Sequence, residues 1–268
     1  MSVFMTTLSV PKPITVRVSN YGDLPSIADL PKEIQKTNSA IIHLGPSPKD
    51  GAQIVAIISG LKNPSDNDKT GPMAQVDILV ENTHPVQARK LDLDTAICGE
   101  CPLKTKTCYV NVGFGPSSKW RAYQRGSYPT IDAKTLAIIL RDRGIGIRWG
   151  SYGDPAMLPF ELIDTVMRLS GVHHTSYTHQ WRETWFDTRH LIYSMGSIDA
   201  VNTRESFKNI YPNDRTYRMA QNYENIQKDE IKCPSKNGQG VRAITCDQCR
   251  LCAGSGKQAK DIVIVEND

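Results

Sequence analysis

No apolar stretch in the sequence approaches the run of about eighteen residues that a membrane span needs, so no membrane partner is expected. Aromatics are sparse at 7%, and charge of either sign barely prevails, with 32 Lys and Arg against 28 Asp and Glu. That +4 balance is too slight for a general nucleic-acid binder, which shows a stronger basic excess or a basic run. No repeat of fixed period and no low-complexity tract is present. The start, "MSVFMTTLSVPKPITVRVSN", lacks the charged opening and long apolar stretch of a secretory signal, which makes a reducing cytoplasm the expected setting. Disulfides are not needed either, because 268 residues can bury a sizeable core without them.

What is present, against that plain background, is a clustering of the 7 cysteines. An odd number of clustered thiols in a reducing compartment points to metal or redox chemistry rather than a disulfide framework. Cys233, Cys246, Cys249 and Cys252 have the spacing C-x12-C-x2-C-x2-C. Two-residue gaps let a loop aim successive thiolates at one centre while the remote cysteine closes the coordination sphere. Zinc sites usually pair two separated Cys-x-x-Cys hairpins. Three thiols this close, joined by a distant cysteine followed by Pro234, match in spacing a ferredoxin-type binding run. An iron–sulfur cluster is the leading expectation, a zinc knuckle the alternative, and free thiols the plain reading.

The second group, in "CGECPLKTKTCYV", is Cys98, Cys101 and Cys108 with Lys104 and Lys106 between them. Three thiolates on one loop could hold a 4Fe-4S cluster with one open iron, a 3Fe-4S cluster, or one metal ion with a fourth ligand from elsewhere. The lysines would offset thiolate charge. The plain reading is that one or more of these are ordinary buried cysteines.

Periodicity supplies the frame. "IVAIISG" and "MAQVDILVEN" read as an antiparallel pair of strands across the turn-rich "LKNPSDNDKTGP". From residue 129, helix and strand alternate: "PTIDAKTLAIILRDRG" as helix, "IGIRWGSYG" as strand, "PAMLPFELIDTVMRLSG" as helix, and "VHHTSYTHQW" and "LIYSMGSID" as strands. "AVNTRESFKNIY" and "RTYRMAQ" add a helix and a strand. Such alternation predicts a parallel sheet with helices outside, open or curled into a barrel. The tail has too few apolar residues for a core of its own, and "DIVIVEN" is expected to add a last strand to the main body.

In order along the chain, "CGECPLKTKTCYV", "WGSYGDPAMLP", "SYTHQW" and "YSMGSIDA" resemble the radical S-adenosylmethionine (radical SAM) enzymes over residues 90 to 225. In that superfamily a three-cysteine loop follows the first strand of a partial β/α barrel, and later strand ends hold the adenosylmethionine. Two departures stand out. The superfamily spacing is C-x3-C-x2-C, and Asp154 stands where a glutamate is typical. The set "CGECPLKTKTCYV", "RAYQRGSYP", "GSYGDP" and "YTHQWR" also resembles an uncharacterised group of phage and prophage proteins, which implies no reaction.

The expected fold is therefore α/β, a partial or complete TIM-barrel-like β/α barrel with a β-rich N-terminal part (1–85), a barrel-like core (86–225) and a cysteine-rich segment with a final strand (226–268). Candidate cofactor-binding residues at strand ends are Ser151, Tyr152, Gly153, Asp154, His179, Ser197 and Asp199, with Gln180, Trp181 and Arg182 beside them. Asp154 reads equally well as a cap on a helix starting at Pro155, and His173 and His174 as residues facing opposite sides of a strand. "SSKWRAYQRGSYP" mixes bases and aromatics as a nucleic-acid grip does, but an amphipathic helix with Trp120 and Tyr123 turned inward is the favoured reading. The expected activity is reductive cleavage of S-adenosylmethionine, with an electron donor or acceptor protein as partner. A non-enzymatic iron–sulfur protein and a zinc-stabilised nucleic-acid binder are the alternatives.

Overall fold

The computed structural model describes residues 24–104, 108–198, 201–220, 226–235 and 244–265. The first residues of the expected β-rich N-terminal part, 1–23, and the candidate Asp199 lie outside them. Strands β1 (Ser39–Pro46), β2 (Gln53–Ser59), β3 (Ser65–Asn67), β4 (Gly71–Val80), β5 (Ile147–Tyr152) and β6 (His174–Thr175) form one sheet of order β1-β2-β4-β5-β6, with β3 beside β4. β1, β2 and β4 alternate in direction, and β5 and β6 run parallel to β4. A second sheet, parallel throughout, has the order β10-β11-β9-β8-β7. Its strands are β7 (Tyr177–Thr178), β8 (Met195–Ile198), β9 (Thr216–Ala220), β10 (Glu230–Lys232) and β11 (Asp261–Val265). β6 and β7 flank Ser176, so the chain passes from one sheet to the other through that residue. The helices are α1 (Lys32–Lys36), α2 (Pro85–Lys90), α3 (Thr95–Cys98), α4 (Gly115–Gln124), α5 (Ala133–Arg143), α6 (Phe160–Ser170), α7 (Val201–Ile210) and α8 (Cys246–Cys249). None of the described helices is long and apolar enough to cross a membrane.

The mixed α/β class is as expected, and so is the antiparallel pairing of "IVAIISG" with "MAQVDILVEN", now β2 against β4. Helix α5 starts where the Asp132 carboxylate accepts from the Thr135 amide at 2.8 Å, and it stops where Gly144 turns left-handed at φ 62°. Its Leu136, Ile139 and Leu140 share one core with Ile163, Val166 and Met167 of α6, Trp149 of β5 and the apolar residues of β2 and β4. At roughly 1.5–3 kcal/mol for each large apolar side chain fully buried, this core is the main source of stability.

Several expected elements are redrawn. The single helix over "PAMLPFELIDTVMRLSG" is a 3-10 turn, Pro155–Met157, followed by α6, because Pro159 restricts the residue before it. The strand "VHHTSYTHQW" is split, because the Ser176 amide leaves the ladder to donate to the Cys252 carbonyl at 3.1 Å. β1 falls in the part expected to be β-rich (1–85), whereas the short helix α1 in that part was not expected. "DIVIVEN" does add a last strand, β11, and it lies between β9 and β10.

That insertion is held by charge. Arg218 of β9 and Glu230 of β10 are both buried, and the guanidinium donates to both carboxylate oxygens at 2.6 Å. Arg204 of α7 reaches Glu230 at 3.3 Å and Asp261 at 2.7 Å, and Lys208 reaches Asp261 at 3.0 Å. Replacing Arg218 with Met strands a buried carboxylate and is expected to cost about 3–5 kcal/mol in urea unfolding. Adding Glu230→Leu to that variant is expected to restore part of the loss; a simple sum of two losses would contradict this reading.

Candidate functional site: a cavity between two cysteine groups

The carboxyl ends of β5, β7 and β8 surround a cavity of about 180 Å³. Its wall includes Cys98, Cys101 and Cys108, and also Cys246 from the tail. Ser151, Tyr152, Gly153, Asp154, His179 and Ser197, six of the residues picked out as strand-end candidates, line the same space. A neighbouring cavity of about 20 Å³ is lined by Cys233, Cys246, Cys249 and Cys252, the complete tail set. Cys246, Tyr177 and Tyr217 border both cavities. Among the described residues, no three or more His, Cys, Asp or Glu side chains form a group that could hold a single metal ion; what the four tail thiols share is the wall of one small space.

Backbone geometry sets the rim. Gly150 and Gly153 both have left-handed φ, at 70° and 80°. A Cβ on Gly153 would stand 2.7 Å from that of Ile78, and one on Gly150 would stand 2.7 Å from the Gly153 carbonyl oxygen. This tight "GSYGDP" turn ends β5 and delivers Asp154. The Asp154 carboxylate is spent on the protein: one oxygen accepts from the Ala156 amide at 3.0 Å, the other from the His179 amide at 2.8 Å and Gln180 Nε2 at 3.1 Å. The cap reading is the one observed, and Asp154 is a positioning residue on the cavity wall. Gln180 Nε2 also donates to the Cys98 carbonyl at 2.9 Å, which couples the β7 end to the cysteine loop. Trp181 belongs instead to a small core with Phe207, with ring centroids 5.0 Å apart. Arg182 lies outside, stacked over Trp181.

The charge expected to offset the first thiol group comes from a different residue. Lys104 is tied to Asp92 and Asp94 at 2.6 and 2.8 Å, and Lys106 lies outside the described residues. Arg89 of α2 sits at Cys108, its Nη2 3.4 Å from the sulfur. Burial, with Asp94 adding to it, pushes the Cys98 thiol well above its ordinary range. Tyr152 Oη is buried and has no hydrogen-bond partner among the described residues, and that burial holds its pKa well above the ordinary phenol range. A buried hydroxyl with nothing to donate to is costly.

The tail group is fixed by the body. The Cys246 and Asp247 amides donate to the carbonyls of Lys69 and Thr70, each at 2.9 Å, and Asp247 meets His173 Nε2 at 2.6 Å. His174 turns to the Tyr193 carbonyl at 2.9 Å, so the two histidines bond in different directions, as expected. Arg215 donates to the carbonyls of Leu251, Gly254 and Lys260. Burial raises Cys246 and Cys249, and carries Cys252 up to about 12. Buried thiols of this kind ionise only when a cation compensates them.

The basic aromatic stretch is occupied internally. Trp120 Nε1 and Gln124 Nε2 donate to the Glu81 carbonyl, Tyr123 Oη donates to the Glu81 carboxylate, and Lys119 pairs with Asp77. This is the inward-packed helix, α4. Sequence reasoning passed over Arg89, Arg148, Tyr177 and Tyr217. A charged residue inside the strand run "IGIRWGSYG" was the available signal for Arg148.

Because the Asp154 carboxylate accepts from the Ala156 and His179 amides and from Gln180 in the protein itself, Asp154→Ala is expected to lower stability by about 1–3 kcal/mol with no ligand added. An unfolding midpoint equal to that of the wild type would instead assign the carboxylate to a bound molecule. No protein-family model, curated protein or solved structure matches the chain, so the chemistry of this cavity is read from its own residues.

Proposed function

We propose that this is an iron–sulfur enzyme of radical SAM type on a partial β/α barrel, with one cluster on Cys98, Cys101 and Cys108 and a second on Cys233, Cys246, Cys249 and Cys252. The observation that carries the proposal is the shared wall: the three loop thiols and Cys246 border one cavity at the carboxyl ends of parallel strands. Two features beside the loop thiols support this reading. Arg89 Nη2 stands 3.4 Å from the Cys108 sulfur, and the Tyr152 hydroxyl on the same cavity wall lacks a partner among the described residues. When bound, a cluster on the loop supplies a single low-potential electron to the sulfonium of S-adenosylmethionine.

The chain's own residues do the rest. Ser151 and Ser197 offer hydroxyls at the wall, the Ser151 one already donating to Gln75 at 2.6 Å. Gln180 and Asp154 hold the cysteine loop against the β7 end. Tyr177 and Tyr217, with ring centroids 4.6 Å apart, separate the two sulfur-lined spaces. Burial keeps both phenols neutral, so they partition the spaces without adding charge.

The test is product analysis. Oxygen-free protein given a strong reductant and S-adenosylmethionine is expected to release 5′-deoxyadenosine, and a variant with serine at Cys98, Cys101 and Cys108 is expected to release none above background. Equal yields from the two proteins would contradict the enzyme reading and leave an electron-transfer or sensor protein.

A further inference from the structure

Arg148 is the second residue of β5, in register with Gln75 of β4 and Thr175 of β6. Its neighbour Trp149 takes the opposite face, with Nε1 3.4 Å from the Met167 sulfur of α6. The guanidinium therefore lies on the cavity side, with Thr175, Tyr177, Ser197 and Tyr217 on the same wall. Among the described residues its hydrogen-bond partner is the Tyr109 hydroxyl, and the Tyr109 ring centroid is 5.6 Å away. Tyr109 is 74% exposed, a replaceable partner.

The other interior arginines are treated differently. Arg218 and Arg204 are closed by carboxylates, and Arg215 donates to three carbonyls. Near Arg148, Asp77 is already committed to Lys119, and Cys246 of the tail stands on the same cavity wall. A single hydroxyl partner leaves most of the guanidinium fork unused, and that planar fork matches a carboxylate or a phosphate. Lys69, on the same wall, adds a second positive charge.

We propose that the substrate of this site carries a carboxylate or phosphate group, which Arg148 holds within the cavity between the two cysteine groups in place of Tyr109. The proposal takes from the reading above only that the cavity is where substrate sits. Binding is measured before any reductant is added, so it stands or falls apart from 5′-deoxyadenosine formation.

The experiment uses the full chain, prepared without oxygen, at constant ionic strength with chloride as the background anion. Inorganic phosphate and succinate are titrated separately by calorimetry, which distinguishes the two anion classes. One of them is expected to bind saturably, at least about tenfold more weakly in Arg148→Gln, and unchanged in Lys36→Gln, which alters an exposed residue. Arg148→Lys, which keeps the charge but not the fork, is the second variant should the glutamine protein not fold, and it is expected to lose affinity for that anion too. Absence of saturable binding, or equal affinity in the Arg148 variants, overturns the proposal. So does a loss confined to S-adenosylmethionine binding, or a loss of iron with anion affinity intact, since either would assign Arg148 to the cofactors.

Discussion

Everything at this site depends on how a short polar tail is fastened. Between Cys246 and Cys252 the chain has few apolar side chains, and it is secured mainly by hydrogen bonds borrowed from the body. Two amides of α8 bind carbonyls in the turn before β4, Asp247 meets His173, and the Ser176 amide leaves its own ladder for the Cys252 carbonyl. Arg215 gathers three tail carbonyls. These contacts bring Cys246 to the wall that Cys98, Cys101 and Cys108 also border, although the two groups are far apart in sequence. Cys233 and Cys252 complete the attachment by packing with Met195, Ile262 and Ile264.

A second constraint is polarity on the inner face of parallel strands. Parallel strands covered on both sides usually read as unbroken apolar runs. Here β5 alternates, with Ile147 and Trp149 on the packed side and Arg148 on the cavity side, and β9 turns Tyr217 to the cavity but Arg218 to the buried ion pair. The alternation means the strands face a space lined by polar groups. The left-handed turn through Gly150 and Gly153 then places the strand end against α3 and the cysteine loop.

Much of this frame was legible. Capping and period gave α5, β5 and α7, and strand alternation gave the β2 and β4 pair, because those signals are local. Cysteine spacing picked out a four-thiol set that the fold gathers at one small cavity. The split strand at Ser176 and the place of β11 between β9 and β10 were not legible, since both depend on hydrogen bonds and ion pairs between residues distant in sequence. The same holds for Arg89. The loop sequence drew attention to Lys104 and Lys106, but Lys104 is claimed by Asp92 and Asp94, and the cation at Cys108 comes from a preceding helix. Asp154 was ambiguous from sequence because capping and ligand binding both call for a carboxylate at a strand end, and only its three donors separate the two roles.

The central claim is that two sulfur groups, brought to adjoining spaces by one fold, each hold iron. Its most direct measurement is the iron, acid-labile sulfide and zinc content of protein isolated without oxygen, compared with a variant carrying serine at Cys233, Cys246, Cys249 and Cys252 and another carrying serine at Cys98, Cys101 and Cys108. The account predicts iron and sulfide in the native protein, with each variant losing part of both and keeping the rest. Native protein that carries zinc in place of iron, or no metal at all, would contradict it.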